Sequence, residues 1–297
     1  MRRQGHEEAA PAPILGLRAQ YRPWITVVAF QGEPGAYSEQ ACSVLFPDAE
    51  FRPTISIRRV FESVEVGQVD FGLVPMDNSQ AGSINETYDL FLRHGLSLVA
   101  EIAVPVDHCL LGFPGAVLDE LTEVISHPQA LAQCEEFLSS LAATTRADFD
   151  TAGAAKRIMQ DGLRTTAAIA SHRAADLYGL TVLAERIQTY PDNSTRFGVI
   201  SKRADPIGVP DKTSIVFGVG HVPGCLFRCL GAFAERHLNL TKLESRPRAG
   251  RPWEYVFYAD IESESDVPAM VEALTELSEH ATFTRVLGSY QGGLSGL

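Results

Sequence analysis

The chain has little of what most catalytic strategies require. Its five cysteines, Cys42, Cys109, Cys134, Cys225 and Cys229, are odd in number, spread through apolar segments and form no CxxC pair. That leaves no disulfide framework and no zinc-ligand spacing, and buried free thiols are expected. Basic residues are outnumbered, 25 Lys and Arg against 37 Asp and Glu, for a formal net charge of −12. Phosphate contacts need clustered Lys and Arg, so the absence of a basic block argues against a general nucleic-acid binder. No apolar run approaches the length of a membrane span, and Met1–Gln20 lacks the apolar segment of a secretory signal. A cytoplasmic protein is expected, with no membrane and no nucleic acid as partner. The patterns HExxH, GxSxG and GxxxxGKS/T are all missing, which removes zinc-hydrolase, nucleophile-elbow and ATP-driven chemistry.

What is present is an ordinary globular composition, 45% hydrophobic and 21% charged over 297 residues, long enough for two or three compact units. Residues 1–23 mix Arg, Glu, Ala and Pro without a period and read as a mobile leader. Ile25–Phe30 is a strand, Gly32–Gly35 a glycine turn, and a helix opens near Ser38. Such a turn is either simply tight or a cradle for a carboxylate. The spacing of Ile57, Val60, Phe61 and Val64 predicts a helix, and Val69–Val74 a buried strand ended by Pro75. The polar cluster Asp77, Asn78, Ser79, Gln80 and Gly82 follows, where it caps a helix and is open to ligand contact as well.

Leu96–Val104, Cys109–Phe113, Glu123–Ser126 and Ala167–Ala170 read as further strands. Helices are expected over Ala130–Leu141, Thr151–Gln160 and Ser171–Tyr178. This alternation implies mostly parallel sheets in two lobes, lobe 1 over about 24–103 plus 195–204 and lobe 2 over about 104–190. Beyond a Pro-containing link at 201–212 the order becomes βαββαβ, a ferredoxin-like unit over 212–297 with Ser245–Pro252 as the hairpin between its second and third strands. Thr195, Arg196 and Phe197 stand together before the last strand of the first part. A hydroxyl, a guanidinium and a ring side by side make a plausible wall for a small anionic ring compound. His127 before Pro128 reads as a positioned structural residue or a base, and Glu135 and Glu136 as a solvated helix face.

Seven segments in order then carry a resemblance: GEPGAYSEQA from Gly32, VPMDNSQAG from Val74, DHCLL from Asp107, SHPQALAQC from Ser126, NSTRF from Asn193, PGCLF from Pro223 and LTKLESRP from Leu240. The chain resembles the monofunctional prephenate dehydratases that end in an ACT regulatory domain, from about Ile25 to Tyr290. The resemblance implies a two-lobed catalytic domain like a periplasmic binding protein over 24–204, and decarboxylating dehydration of prephenate to phenylpyruvate, carbon dioxide and water. Aromatisation supplies the driving force, so no cofactor and no metal is expected.

By the same resemblance Thr195 stabilises the departing hydroxyl, Arg196 pairs a carboxylate and Phe197 shapes the wall. Ser38, Asn78, Ser79, Gly82, Ser126 and Gln133 are implied as substrate contacts. Gly224, Cys225, Leu226, Asn239, Glu244, Ser245, Arg246 and Pro247 are implied as a site for L-phenylalanine between paired domains of a homodimer or homotetramer. Three positions depart from the family pattern: Asp77 where Glu is usual, Thr189 where Asp or Asn is usual, and Gly198 where a larger aliphatic residue is usual. The rival readings are an arogenate dehydratase and a catalytically silent amino-acid sensor.

Overall fold

The computed structural model describes residues 25–248, 254–262 and 267–293. The expected leader 1–23 and part of the expected loop 245–252 lie outside the described residues. The chain opens with β1 (Val27–Gln31), α1 (Tyr37–Leu45), β2 (Glu50–Thr54), α2 (Ile57–Glu65), β3 (Phe71–Asn78), β4 (Gly82–Ser83), α3 (Asn85–Arg93) and β5 (Ser97–Pro105). It continues through β6 (Cys109–Gly112), β7 (Glu123–Ser126), α4 (Pro128–Gln133), α5 (Glu135–Ser139), β8 (Thr144–Ala147), α6 (Thr151–Asp161), β9 (Thr166–Ala170), α7 (His172–Tyr178) and β10 (Thr181–Ala184). It returns in β11 (Ser194–Ser201) and ends with β12 (Lys212–Val219), α8 (Cys225–Ala234), β13 (Asn239–Pro247), β14 (Tyr255–Glu262), α9 (Val267–His280) and β15 (Ala281–Tyr290).

Three sheets result among the described residues. The first has the order β2-β1-β3-β11-β5 with β4 beside β3, the second β10-β6-β9-β7-β8, and the third β13-β14-β12-β15. The chain thus leaves the first sheet after β5, builds the second, and comes back with β11. The parallel expectation holds for β1 with β2 and β3 and for β7 with β8 and β9. It fails at β6, which is antiparallel to both β9 and β10. β9 and β10, joined through α7, run the same way on either side of β6, so β6 opposes both of its neighbours.

Pro75 does not end β3. The pairing of β3 with β1 stops at Leu73, so no ladder bond on that side needs the missing proline N–H. The expected helix over 130–141 is instead the short pair α4 and α5, broken at Cys134, whose φ of −110 and ψ of 18 lie outside the helical well. Alternate residues of the second sheet feed two cores. Leu111, Ile125 and Ala168 pack with Ala155 and Ile158 of α6, while Leu110, Val124 and Ile169 pack with Ala130 and Leu138 of α4 and α5. This is the period of two that a sheet covered on both faces requires.

Contacts divide the described residues into two compact units, one drawn from 25–90 and 102–197, the other from 91–101 and the described part of 198–293. In the second unit α8 and α9 cover one face of the third sheet, with Ile215, Phe217, Ala259 and Ile261 against Cys229, Phe233, Ala273 and Leu277. The same unit holds the segment 91–101 close. Arg285 donates to the carbonyls of Phe91 and Leu96, and buried Glu101 receives Lys212 Nζ at 2.5 Å. A Cβ on Gly288 would lie 1.8 Å from the Leu98 carbonyl oxygen, so glycine is required at this approach. No helix among the described residues is long and apolar enough to cross a membrane.

Candidate active site

The site grows from the end of β3 and the start of β11. Thr195 Oγ1 accepts a hydrogen bond from Asn78 Nδ2 at 3.0 Å. The same amide nitrogen faces Asn193 Oδ1 at 2.8 Å and the Ser194 carbonyl at 3.1 Å. Asn78 Oδ1 accepts from the backbone N–H groups of Gln80 at 3.1 Å and Ala81 at 2.9 Å, closing a turn. Those two backbone donors fix which way the amide points. The Thr195 oxygen is therefore an acceptor toward Asn78, and its own proton is left to point elsewhere. Thr195 and Asn78 both line a cavity of about 200 Å³, whose walls also include Gln31, Tyr37, Val106, His108, His127, Gln129, Gln133 and Thr151.

A second chain of polar groups runs along the cavity. Gln133 Nε2 reaches Asn78 Oδ1 at 3.4 Å, and Gln133 Oε1 faces His108 Nε2 at 2.9 Å. Tyr37 donates to the Asp107 carbonyl at 2.6 Å and meets His108 Nδ1 at 3.1 Å. With the Tyr37 proton spent on Asp107, both imidazole nitrogens face acceptors, a demand that only the imidazolium satisfies in full. Burial pushes the His108 pKa down against the pull of Gln133 and Asp107, so a neutral ring leaves one of the two contacts short of a proton. Burial also pushes the Tyr37 hydroxyl well up. His127 caps α4, its Nδ1 accepting from Gln129 N at 3.2 Å, and burial lowers its pKa while Asp150 opposes the shift.

Of the residues expected to bind substrate, only Asn78, Gln133 and Thr195 line the cavity. Arg196 is not among those wall residues. Successive strand residues face opposite sides of a sheet, so it points away from Thr195 and lays its guanidinium on Asp77, Nε to Oδ2 at 2.8 Å, and on the Tyr88 hydroxyl at 3.2 Å. Asp77, the family departure, also accepts from Ser83 at 2.8 Å and from Tyr88 at 3.1 Å. Its carboxylate serves this cluster and is not among the cavity walls. Phe197 shares the Thr195 side of the strand but is buried deeper, in the core.

The remaining hydroxyls are committed to backbone. Ser38 donates to the Gln31 carbonyl at 2.6 Å and Ser126 to the Ile169 carbonyl at 2.6 Å. Ser79 donates to the Asp192 carbonyl at 3.1 Å and accepts from Ser194 N at 2.9 Å, stapling the β3 loop to β11. Gly82, with φ +78, turns β4 back on Asn78. Thr189 sends its N–H to the Gln133 carbonyl at 2.8 Å, and its buried hydroxyl has no partner. Sequence reasoning missed Tyr37, His108 and Thr151. A signal for His108 existed: an Asp-His pair placed in the short step between two apolar strands, where a chain changes lobes.

In the second unit a hollow of about 440 Å³ is walled by the loop Val219–Phe227, including Gly224, Cys225 and Leu226. Gly224 adopts φ +77 at the start of α8, a conformation that needs glycine. Cys225 donates to the His280 carbonyl at 3.4 Å. Asn239, Glu244, Ser245, Arg246 and Pro247 lie apart from that hollow on β13, the edge strand, where Asn239 donates to Glu262 at 3.0 Å and Glu244 pairs Lys242 at 3.2 Å.

Residues 28–205 match the family model described as prephenate dehydratase, and residues 213–279 match that of the ACT domain. The chain belongs to the prephenate dehydratase family. It is 45% identical over 277 residues to arogenate dehydratase/prephenate dehydratase 2, chloroplastic, of Arabidopsis thaliana, covering 89% of this chain and 72% of that protein. The prephenate dehydratase of Arthrobacter aurescens, solved in complex with L-Phe, superposes with a TM-score of 0.82 at 31% identity and covers 89% of each chain. A protein described as GqqA, a novel type of quorum-quenching acylase, superposes with a TM-score of 0.82 at 33% identity, covering 90% of this chain and 98% of that one. The two-lobed fold followed by a βαββαβ unit is shared with these structures.

Proposed function

We propose that the cavity beside Thr195 is where prephenate loses its ring carboxylate as carbon dioxide and its ring hydroxyl as water, leaving phenylpyruvate. The carboxylate's C–C bond supplies the electron pair that completes the aromatic ring, and the C–O bond breaks as that pair arrives, the departing hydroxide taking one proton from solvent to leave as water. Negative charge then develops on the departing oxygen, so a preorganised donor aimed at it favours the transition state over bound substrate. The observation that carries this reading is the polarity of one hydrogen bond: Asn78 donates to Thr195, which leaves the threonine proton for the substrate. Arg196 acts as a positioning residue, holding Asp77 and so the end of β3.

Residues 24–204 form the catalytic domain on this reading and 212–297 the ACT regulatory domain, feedback-responsive to L-phenylalanine. The Gly224–Leu226 loop supplies one side of the effector site. The residues Asn239 and Glu244–Pro247, on the edge strand of another copy, supply the other, which makes the protein a homodimer or homotetramer. Five buried free cysteines fit a reducing compartment such as the cytoplasm. The alternative substrate is arogenate, which differs in carrying an ammonium on the side chain, and the Arabidopsis relative is named for both activities. Purified protein given prephenate or arogenate in turn, with phenylpyruvate and phenylalanine measured with and without added L-phenylalanine, tests the whole reading. Turnover of neither substrate overturns it.

A further inference from the structure

The cavity raises a problem of charge that the catalytic threonine does not solve. Prephenate carries two carboxylates, yet no Lys or Arg is among the described residues that wall the cavity. Arg196, the expected partner, is engaged by Asp77 and Tyr88. The one other kind of side chain there that gains positive charge is imidazole, in His108 and His127. Both His108 nitrogens are already taken by Tyr37 and Gln133. His127 is different: Nδ1 accepts the Gln129 N–H, which places the ring proton on Nε2, at the end not used by the cap.

Substrate geometry then decides where that proton is needed. The leaving hydroxyl and the carboxylate-bearing side chain sit on opposite ends of the six-membered ring, so they meet opposite walls of the site. Thr195 is on β11 of the first sheet, whereas His127 is on the β7–α4 step of the second. Of the two carboxylates, the one that departs loses its charge as the reaction proceeds. A strong anchor on it would hold the ground state more than the transition state. The retained side-chain carboxylate keeps its charge throughout and is the one that an anchor can bind without slowing the chemistry.

We propose that His127, through Nε2–H, binds the side-chain carboxylate of the substrate, with the neighbouring Thr151 hydroxyl on the same wall. The assignment rests on the dehydratase reading of the cavity. It also gives the anionic substrate a donor where the described walls hold no Lys or Arg: one hydrogen bond of this charge-assisted kind contributes roughly tenfold or more in affinity.

The test is His127→Asn. Asparagine is a good helix cap, so its Oδ1 replaces Nδ1 on the Gln129 N–H while the Nε2 donor is lost. Steady-state kinetics are run on the full chain with whichever of prephenate and arogenate the wild type converts, and inhibition by phenylpyruvate, which keeps only the side-chain carboxylate, is measured beside them. The expected result is a KM about tenfold higher, kcat within about threefold, the inhibition constant for phenylpyruvate raised alongside KM, and an unchanged melting temperature. An unchanged KM overturns the proposal. So does a raised KM with an unchanged phenylpyruvate constant, because the contact would then belong to the departing carboxylate. A wild type that converts neither substrate overturns the dehydratase reading, and this assignment falls with it.

Discussion

Asn78→Asp isolates the hydrogen bond on which the catalytic reading stands. The change is isosteric, but at neutral pH it replaces a two-proton donor by an acceptor. Three acceptors now face Asn78 Nδ2: Asn193 Oδ1 at 2.8 Å, Thr195 Oγ1 at 3.0 Å and the Ser194 carbonyl at 3.1 Å. Two of them can adapt. Asn193 Nδ2 is buried without a partner, so that amide can turn over and donate. Thr195 can rotate its proton toward the new carboxylate, and that rotation is what disables it. The two backbone donors from Gln80 and Ala81 are retained by the other carboxylate oxygen. Only the Ser194 carbonyl is left opposed, a stability loss of about 1–3 kcal/mol.

Withdrawing one preorganised donor from a developing oxyanion costs about 100- to 1000-fold in kcat. Steady-state production of phenylpyruvate, with thermal unfolding beside it, reads both effects. KM is expected to move by less than about threefold, because the contact forms chiefly in the transition state. Activity should also recover in part as pH falls, since protonating the introduced carboxyl restores a donor toward Thr195. A variant that keeps more than about a tenth of wild-type kcat at neutral pH refutes the role given to the Asn78–Thr195 bond.

Arg196→Lys removes the fork that holds Asp77 and should lower the melting temperature and kcat together, with KM little changed; a tenfold rise in KM at an unchanged melting temperature would return Arg196 to the substrate. Unfolded histidine titrates near pH 6.5, and burial holds His108 and His127 below that in the folded protein. Below about pH 6.5 the unfolded chain binds more protons, so stability should fall with pH, a dependence that flattens in His108→Gln when melting is followed from about pH 7.5 to about pH 5. An identical pH slope in that variant would remove His108 as its source. Gly224→Val forces a branched side chain into φ +77 and should weaken the response to L-phenylalanine at least about tenfold in a titration of activity, whereas an unaltered response would move the effector site elsewhere.

Much of the site was legible because its chemistry is local. Asn78 was marked by following a buried strand in a polar turn, and Thr195 by standing at the head of another. Gln133 was visible only through the resemblance. The strands β2, β8 and β10 were not read at all. β2 (Glu50–Thr54) and β8 (Thr144–Ala147) lie at sheet edges with no buried residue, so neither carries a period-two apolar signal. Ser38 and Ser126 entered as substrate contacts through the resemblance, and nothing in a sequence says that their hydroxyls will find the Gln31 and Ile169 carbonyls.

By itself the sequence determined the alternation of strands and helices, the change to βαββαβ, the family, and the presence of Thr195, Arg196 and Phe197 in one stretch. These follow from short-range periodicity and from motif order, which survive without coordinates. Only the tertiary structure decided which of the three faces the cavity, because neighbours on a strand point to opposite sides and Asp77 waits on one of them. It alone brought His108 and His127 to the cavity wall, across the lobes from Thr195. Charge placement in a cleft depends on which long-range partners are already satisfied, and in this chain the guanidinium is spent on Asp77 while an imidazole is left facing the cavity.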